Sequence, residues 1–277
     1  MSHDERDGAE ARANPRAKRA RNTFVLALAA IVPGAALFAS EHGAPHWGYG
    51  REDGPANWGK LSPDYALCSS GKAQTPIDLV PPAVVVAGVH TPEPELELAH
   101  GEHTLTLLDN GHTIQVTDTG GTRLTLDGVR YELLQFHFHD PSEHTIGGRS
   151  YPMELHLVHT SADGRLAVVG VLIEQGAENV ALAPLFRTLP AKAGEQKELK
   201  LAIDLAQVLP SDHGAFRYAG SLTTPPCSEG VQWVVLERPI TLSREQIAAF
   251  TAIIGDEHRP VQPLNGRTVT AAQLDVR

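Results

Sequence analysis

Apolar residues in this chain recur at period two, in short runs that stop on turn residues, and nothing else in it constrains the fold as much. Side chains at i and i+2 of a strand share a face, so an alternating run is a strand with one face buried. Alternating or short apolar runs fall at Thr104–Leu108, Thr113–Thr117, Arg123–Leu126, Leu133–His139, Glu154–His159, Ala167–Glu174 and Gln232–Leu236. Between them stand Asp109-Asn110-Gly111, Gly120-Gly121, Asp127-Gly128 and Ala162-Asp163-Gly164, which suit tight turns. Helical periodicity is confined to Val180–Leu189 and Ser243–Ile254, the second with Ser243 as N-cap and Glu245–Gln246 in its first turn. The pattern predicts a mainly β (α+β) chain: a single domain around a large twisted, mostly antiparallel sheet with a few short surface helices.

The ends bound the compartment. Arg16, Lys18, Arg19 and Arg21 precede Thr23–Ala39, which is uncharged and contains Pro33 and Gly34. A basic flank before a short apolar run is the pattern of a secretory signal, and the run is poor as a permanent span. Residues 1–40 are therefore expected to be a signal peptide or a retained N-terminal anchor, and residues 41–277 one exported domain, periplasmic or secreted. No membrane contact is expected after cleavage. Pro81–Pro82 and Thr91–Pro94 read as surface turns. A net charge of −10 argues against a general nucleic-acid binder, which needs a basic face. Cys68 and Cys227 are the only cysteines and lack metal spacing. In an exported chain two isolated cysteines usually pair; two buried free thiols are the alternative.

Histidine is abundant, 14 residues against two methionines. The informative stretch is Gln135 to His159, QFHFHDPSEHTIGGRSYPMELHLVH. Gln135, His137 and His139 share one strand face, and Phe136 and Phe138 the other. In the next run Glu154, His156 and Val158 share a face. If these strands pair, three imidazoles converge, which is what a catalytic zinc needs: three protein ligands and a fourth position left to water. Gln135 and Glu154 each lie two residues before a histidine on its own face, where a polar group can orient the ring. Two weaker signals stand apart. Ser221-Leu222-Thr223-Thr224-Pro225-Pro226 is an ordered loop whose Thr hydroxyl can accept one hydrogen bond and donate another. Asn110-Gly111-His112 is a turn whose histidine matters only if it overhangs the metal, as a proton carrier.

Together these motifs resemble the α-class carbonic anhydrases of the exported bacterial type. The resemblance runs from about His46 to Arg267 through HWGYG (His46–Gly50), GKAQTPIDL (Gly71–Leu79), DNGH (Asp109–His112), QFHFH (Gln135–His139) and PSEH (Pro141–His144). It continues through ELHLVH (Glu154–His159), GSLTTPPCSEGVQW (Gly220–Trp233) and RPVQPLNGR (Arg259–Arg267), all in the family's order. The resemblance implies one Zn²⁺ per chain on His137, His139 and His156, with Gln135 and Glu154 as their outer partners. It implies hydration of carbon dioxide to bicarbonate and a proton by zinc-bound hydroxide. Thr223 would relay a hydrogen bond to Glu143, and His112 would shuttle protons. Tyr49, Asn110 and Gln115 would order the connecting waters. Val158, Val168, Leu222, Val231 and Trp233 would form the apolar wall, Thr224 the polar side, and Cys68–Cys227 the extracytoplasmic disulfide. A homodimer follows from analogy alone. Two departures are mild: Asp140 follows HFH where many animal members carry Trp, and Thr75 stands where Ser is common.

Two rivals bear on the same residues. His137, His139 and Glu143 give H-x-H-x₃-E, close to a cupin motif with Glu143 on the metal, though the second cupin motif is missing. The other is a non-enzymatic adhesion or zinc-storage module on the same fold. Glu143 facing Thr223, not the metal, separates the first rival from the anhydrase reading.

Overall fold

The alternating runs do become strands, and they belong to one sheet. The computed structural model describes residues 45–80, 92–99, 103–118, 120–201 and 207–277. The expected signal segment, the Pro81–Pro82 turn and Thr91 lie outside the described residues. In chain order the strands are β1 (Asp78–Leu79), β2 (Glu95–Glu97), β3 (His103–Asp109), β4 (Ile114–Asp118), β5 (Arg123–Leu126), β6 (Val129–His139) and β7 (Thr145–Ile146). They continue as β8 (Met153–Ser161), β9 (Leu166–Gln175), β10 (Gln196–Leu201), β11 (Gly214–Ser221), β12 (Glu229–Leu242), β13 (Thr270–Gln273) and β14 (Asp275–Val276). The sheet runs β10-β3-β4-β6-β8-β9-β12-β11-β13, with β2, β5 and β14 attached beside β6. Its pairings are antiparallel except β9 with β12 and β2 with β14. A mostly antiparallel large sheet is what the alternation predicts.

Turn chemistry ends the strands where expected. Asp127 and Gly128, at φ 50° and 74°, close the β5–β6 hairpin with two left-handed residues, a backbone that suits an Asp-Gly pair. The two expected helices are shorter than the periodicity suggests. Arg244–Thr251 is a helix with a full capping box: Ser243 Oγ accepts the Gln246 N–H and Gln246 Oε1 accepts the Ser243 N–H. Val180–Leu189 shrinks to Ala183–Phe186. Asn179 Oδ1 holds the Leu182 N–H in a turn, and Pro184 fits only a first helical turn. Pro190 excludes Leu189 from helix. Short turns at Trp58–Leu61 and Leu67–Ser70 were not expected. Among the described residues no helix is long and apolar enough to cross a membrane.

The two faces of the sheet differ. Phe136, Phe138, Leu155, Leu157, Val169, Val171, Val234 and Leu236 lie in the main core with Phe186 and Phe250. The other face carries His137, His156 and a smaller cluster of Val158, Val168, Val231, Trp233 and Tyr218. A third cluster holds Trp58, Tyr65 and the disulfide.

Cys68 and Cys227 are bonded, 159 residues apart, and buried. Closing so long a loop limits the unfolded chain by up to about 5 kcal/mol on the chain-entropy account. A Cys68→Ser/Cys227→Ser variant is expected to unfold at clearly lower urea. An unchanged midpoint would remove the disulfide from the stability account.

Candidate metal centre

Register places the histidines. His137 on β6 sits directly opposite His156 on β8, and His139 opposite Glu154, so the expected faces are one face. On the other flank Gln115 of β4 is opposite His137. One ring nitrogen from each of His137, His139 and His156 lies within 4.8 Å of the other two.

The outward nitrogens are all committed. Nδ1 of His137 meets Gln135 Oε1 at 2.8 Å, Nδ1 of His139 meets the Glu257 carbonyl at 3.1 Å, and Nε2 of His156 meets Glu154 Oε1 at 2.8 Å. Every one of these partners is an acceptor, so each ring carries its hydrogen outward and presents a bare lone pair inward. The inward set is therefore Nε2, Nε2 and Nδ1. Burial, then the other imidazoles, holds His137 well below the ordinary histidine range. Burial lowers His139 to about 4 and also lowers His156. All three rings stay unprotonated at neutral pH, which is the form that binds a metal.

The site also contains a mismatch that a cation would resolve. His139 Nε2 and Glu143 Oε2 are buried, make no well-formed hydrogen bond, and stand 3.5 Å apart. Two bare acceptors facing each other in the interior are costly without positive charge between or beside them. Three imidazoles with a nearby carboxylate suit zinc. Glu143 Oε2 is also 4.0 Å from His156 Nδ1, yet Glu143 is not part of the converging set. Its Oε1 accepts the Arg259 N–H at 2.9 Å. Burial pushes the Glu143 carboxyl up, while His156, the Arg259 N–H and the Thr223 hydroxyl pull it down. That neighbourhood, and a sheet of this topology, do not suit the cupin reading.

Glu154 is heavily engaged, with four hydrogen bonds to its carboxylate. Despite full burial, His144 and His156 hold its carboxyl well below the usual range. A Cβ at Gly170, the β9 residue opposite His156, would stand 3.1 Å from Glu154 Oε1, so glycine there leaves room for the carboxylate. His144, Glu154 and His156 form a second set of close donors. There, Glu154 Oε1 is 2.7 and 2.8 Å from two ring nitrogens, which are hydrogen-bond distances.

Beside the imidazoles the apolar residues assemble as a wall. Val158 lies two residues beyond His156, Val168 is opposite Val158, and Trp233 is opposite Val168. Val231 and Leu222 complete the cluster. The Trp233 ring stands edge-on to His156, centroids 4.9 Å apart, and its Nε1 donates to the Ser221 carbonyl. Thr223 is buried and Thr224 half-buried in the loop that Cys227 closes, its N–H on the Thr224 carbonyl.

His112 belongs to a separate aromatic group. Its ring stacks on Trp47, centroids 3.7 Å apart at 8°, with His46 at 6.4 Å. Burial, then His46, lowers its pKa. Tyr49 stands edge-on to Trp47 and Trp58, and burial, then Glu143, raises it well above its ordinary value. Asn110 Oδ1 accepts the His112 and Thr113 N–H groups, so that atom builds the turn. The Glu257 carbonyl, Arg259, His144 and Tyr218 were given no role in the sequence reading, though Arg259 stood inside RPVQPLNGR. A backbone carbonyl leaves no residue signal, whereas His144 stood inside the quoted PSEH.

A β-sheet that brings one half-buried and two buried imidazoles to one point, beside a buried carboxylate and an apolar wall, makes a site that could hold a metal ion. Residues 53–273 match the family described as eukaryotic-type carbonic anhydrase, and the chain belongs to that family. A carbonic anhydrase of Klebsiella pneumoniae is 46% identical over 230 residues, 82% of this chain and 91% of the relative. The α-carbonic anhydrase of Thermovibrio ammonificans, solved with the inhibitor sulfanilamide, superimposes with TM-score 0.77 at 43% identity, covering 82% of this chain and all of that one. Dioscorin complexed with ascorbate has a similar fold, with TM-score 0.74 at 29% identity over 83% of this chain and 98% of that one.

One buried histidine lies away from the site. His159 is fully buried, neither ring nitrogen makes a well-formed hydrogen bond, and burial lowers it to about 4 despite backbone groups at Leu157 and Ala167. Its folded pKa lies below the unfolded value of about 6.5. The unfolded chain therefore takes the proton first as pH falls, and stability drops between about pH 6.5 and 4 and levels off below. The cost reaches about 3 kcal/mol. In metal-free protein, His159→Phe is expected to flatten that part of the stability–pH curve. A curve of unchanged slope would contradict the assignment.

Proposed function

We propose that this chain is a zinc-dependent carbonic anhydrase that reversibly hydrates carbon dioxide to bicarbonate and a proton. The observation that carries the reading is the convergence of three lone pairs whose rings are locked from outside by Gln135, the Glu257 carbonyl and Glu154. His137 and His139 through Nε2, and His156 through Nδ1, would hold one ion per chain. Neutral ligands leave the ion its full charge. An ion held there would bring the pKa of a coordinated water toward neutrality and so supply the hydroxide nucleophile, a behaviour for which carbonic anhydrases are themselves the reference case.

The chain's own residues do the rest. Glu143, with one oxygen on the Arg259 N–H, takes the Thr223 hydroxyl hydrogen. Thr223 Oγ1 is then left as an acceptor only, so it orients the attacking oxygen with a lone pair toward the substrate. Val158, Val168, Leu222, Val231 and Trp233 give carbon dioxide, which has no net dipole, an apolar surface beside His156. Thr224 lines the polar side, where bicarbonate leaves. One proton must also leave per turnover. His112 would carry it to bulk water, with Gln115 opposite His137, Tyr49 near Glu143 and Asn110 holding the His112 turn along the route. The disulfide fits an oxidising compartment, periplasmic or extracellular.

Metal analysis with stopped-flow hydration tests the reading. The protein is expected to hold one zinc per chain and hydrate carbon dioxide, and His137→Ala to lose both. Stoichiometric zinc in that variant would refute the ligand assignment. His112→Ala is expected to slow turnover about 100-fold in weak buffer and to be rescued by added imidazole. Equal rates in weak buffer would remove His112 from the proton route.

A further inference from the structure

Glu154 orients His156, yet Glu154 is itself held from behind. Its Oε2 accepts the Glu143 N–H at 2.9 Å and the His144 N–H at 2.8 Å. Its Oε1 accepts His144 Nδ1–H at 2.7 Å and His156 Nε2–H at 2.8 Å. A carboxylate offers about four lone-pair sites, and all four are used. His144, Glu154 and His156 are 0%, 0% and 1% exposed, so no solvent competes for these bonds.

The string continues away from the metal centre. With His144 Nδ1 on Glu154, its Nε2 faces the Tyr218 hydroxyl at 2.7 Å. The Tyr218 oxygen is 3.2 Å from Thr75 Oγ1, which accepts the Ser221 N–H at 2.9 Å. The Thr75 N–H returns a bond to Ser221 Oγ at 2.9 Å. The Thr75 carbonyl accepts Arg259 Nη1–H at 2.7 Å, and the Arg259 N–H reaches Glu143. Ser221 stands two residues before Thr223. A Cβ at Gly220 would stand 2.1 Å from Thr75 Oγ1 and 2.9 Å from the Tyr218 ring, so only glycine permits this approach.

His144 and Tyr218 pack against Trp233, ring centroids 5.0 and 6.3 Å away, and neither is one of the three converging imidazoles. Burying them costs desolvation that an apolar pair of similar size would avoid. Their arrangement is explained by geometry: it joins the His156 ring on β8 to the loop carrying Thr223.

We propose that His144 and Tyr218 are positioning residues that set the metal affinity of the three-imidazole site by fixing the Glu154 carboxylate, with Thr75 tying the same string to the Thr223 loop. The proposal rests on His137, His139 and His156 being the metal ligands. Outer partners of metal-bound histidine typically contribute 10–100-fold in affinity.

The test is zinc release from the full chain into a chelator, followed with a chromogenic dye, so the readout does not depend on activity. His144→Ala is expected to release zinc about 10–100-fold faster than wild type. His144→Asn, which returns an amide N–H near the place of Nδ1–H, is expected to recover most of the loss. Tyr218→Phe removes one oxygen atom and is expected to accelerate release by about 3–10-fold, less than loss of His144 because it acts one bond further out. Wild-type release rates in folded, disulfide-bonded His144→Ala and Tyr218→Phe would overturn the proposal. Lower melting temperatures with unchanged release would overturn it too, by reducing both residues to packing. If His144→Ala does not fold, Tyr218→Phe decides alone. A wild-type protein that holds no zinc would instead refute the metal reading beneath it.

Discussion

The site depends on how each histidine spends its second ring nitrogen. An imidazole in water carries its hydrogen on either nitrogen. Here a side-chain amide, a backbone carbonyl and a carboxylate each take that hydrogen on the outward side. The choice of tautomer is thereby removed, and three lone pairs are forced inward. Burial then keeps the rings unprotonated. A site that could hold a metal is thereby built from acceptors alone, and the low dielectric that makes unpaired acceptors costly also favours a cation among them.

The sheet is the device that makes this cheap in sequence. A single register between β6 and β8 puts His137 opposite His156 and His139 opposite Glu154. A slip of one residue would send Phe136 and Phe138 to the site and the histidines into the core. The aromatic core on the other face therefore fixes the metal centre as firmly as the hydrogen bonds do. Extension of the same rows into β9 and β12 supplies Val158, Val168 and Trp233 without further loops. Dioscorin shows that a fold of this kind also occurs in a protein crystallised with ascorbate, so the reaction has to be argued from the imidazoles and their partners.

Period-two alternation made the histidine strands legible, because Gln135, His137 and His139, like Glu154 and His156, fall on one face by counting alone. The capping box after Ser243 was legible for the same local reason. What stayed hidden is non-local. The Glu257 carbonyl reaches His139 across 118 residues, and any residue type could have supplied it. His144 meets Tyr218 across 74 residues, and no local pattern announces such a meeting. β10, QKELKL, escaped because an edge strand carries lysines on purpose and its alternation reads as surface. Asn110 was read as a water-ordering residue, while its side-chain oxygen closes the turn beneath His112. Residues matched by motif identify a place in the fold, and only the fold says which atom of the residue is free.

X-ray absorption at the zinc edge of the loaded protein tests the central claim most directly. Multiple scattering from three imidazoles, with one light, exchangeable oxygen completing the shell, is the spectrum this account predicts. Fewer than three imidazoles, or a fourth donor from the protein that solvent does not exchange, would contradict it.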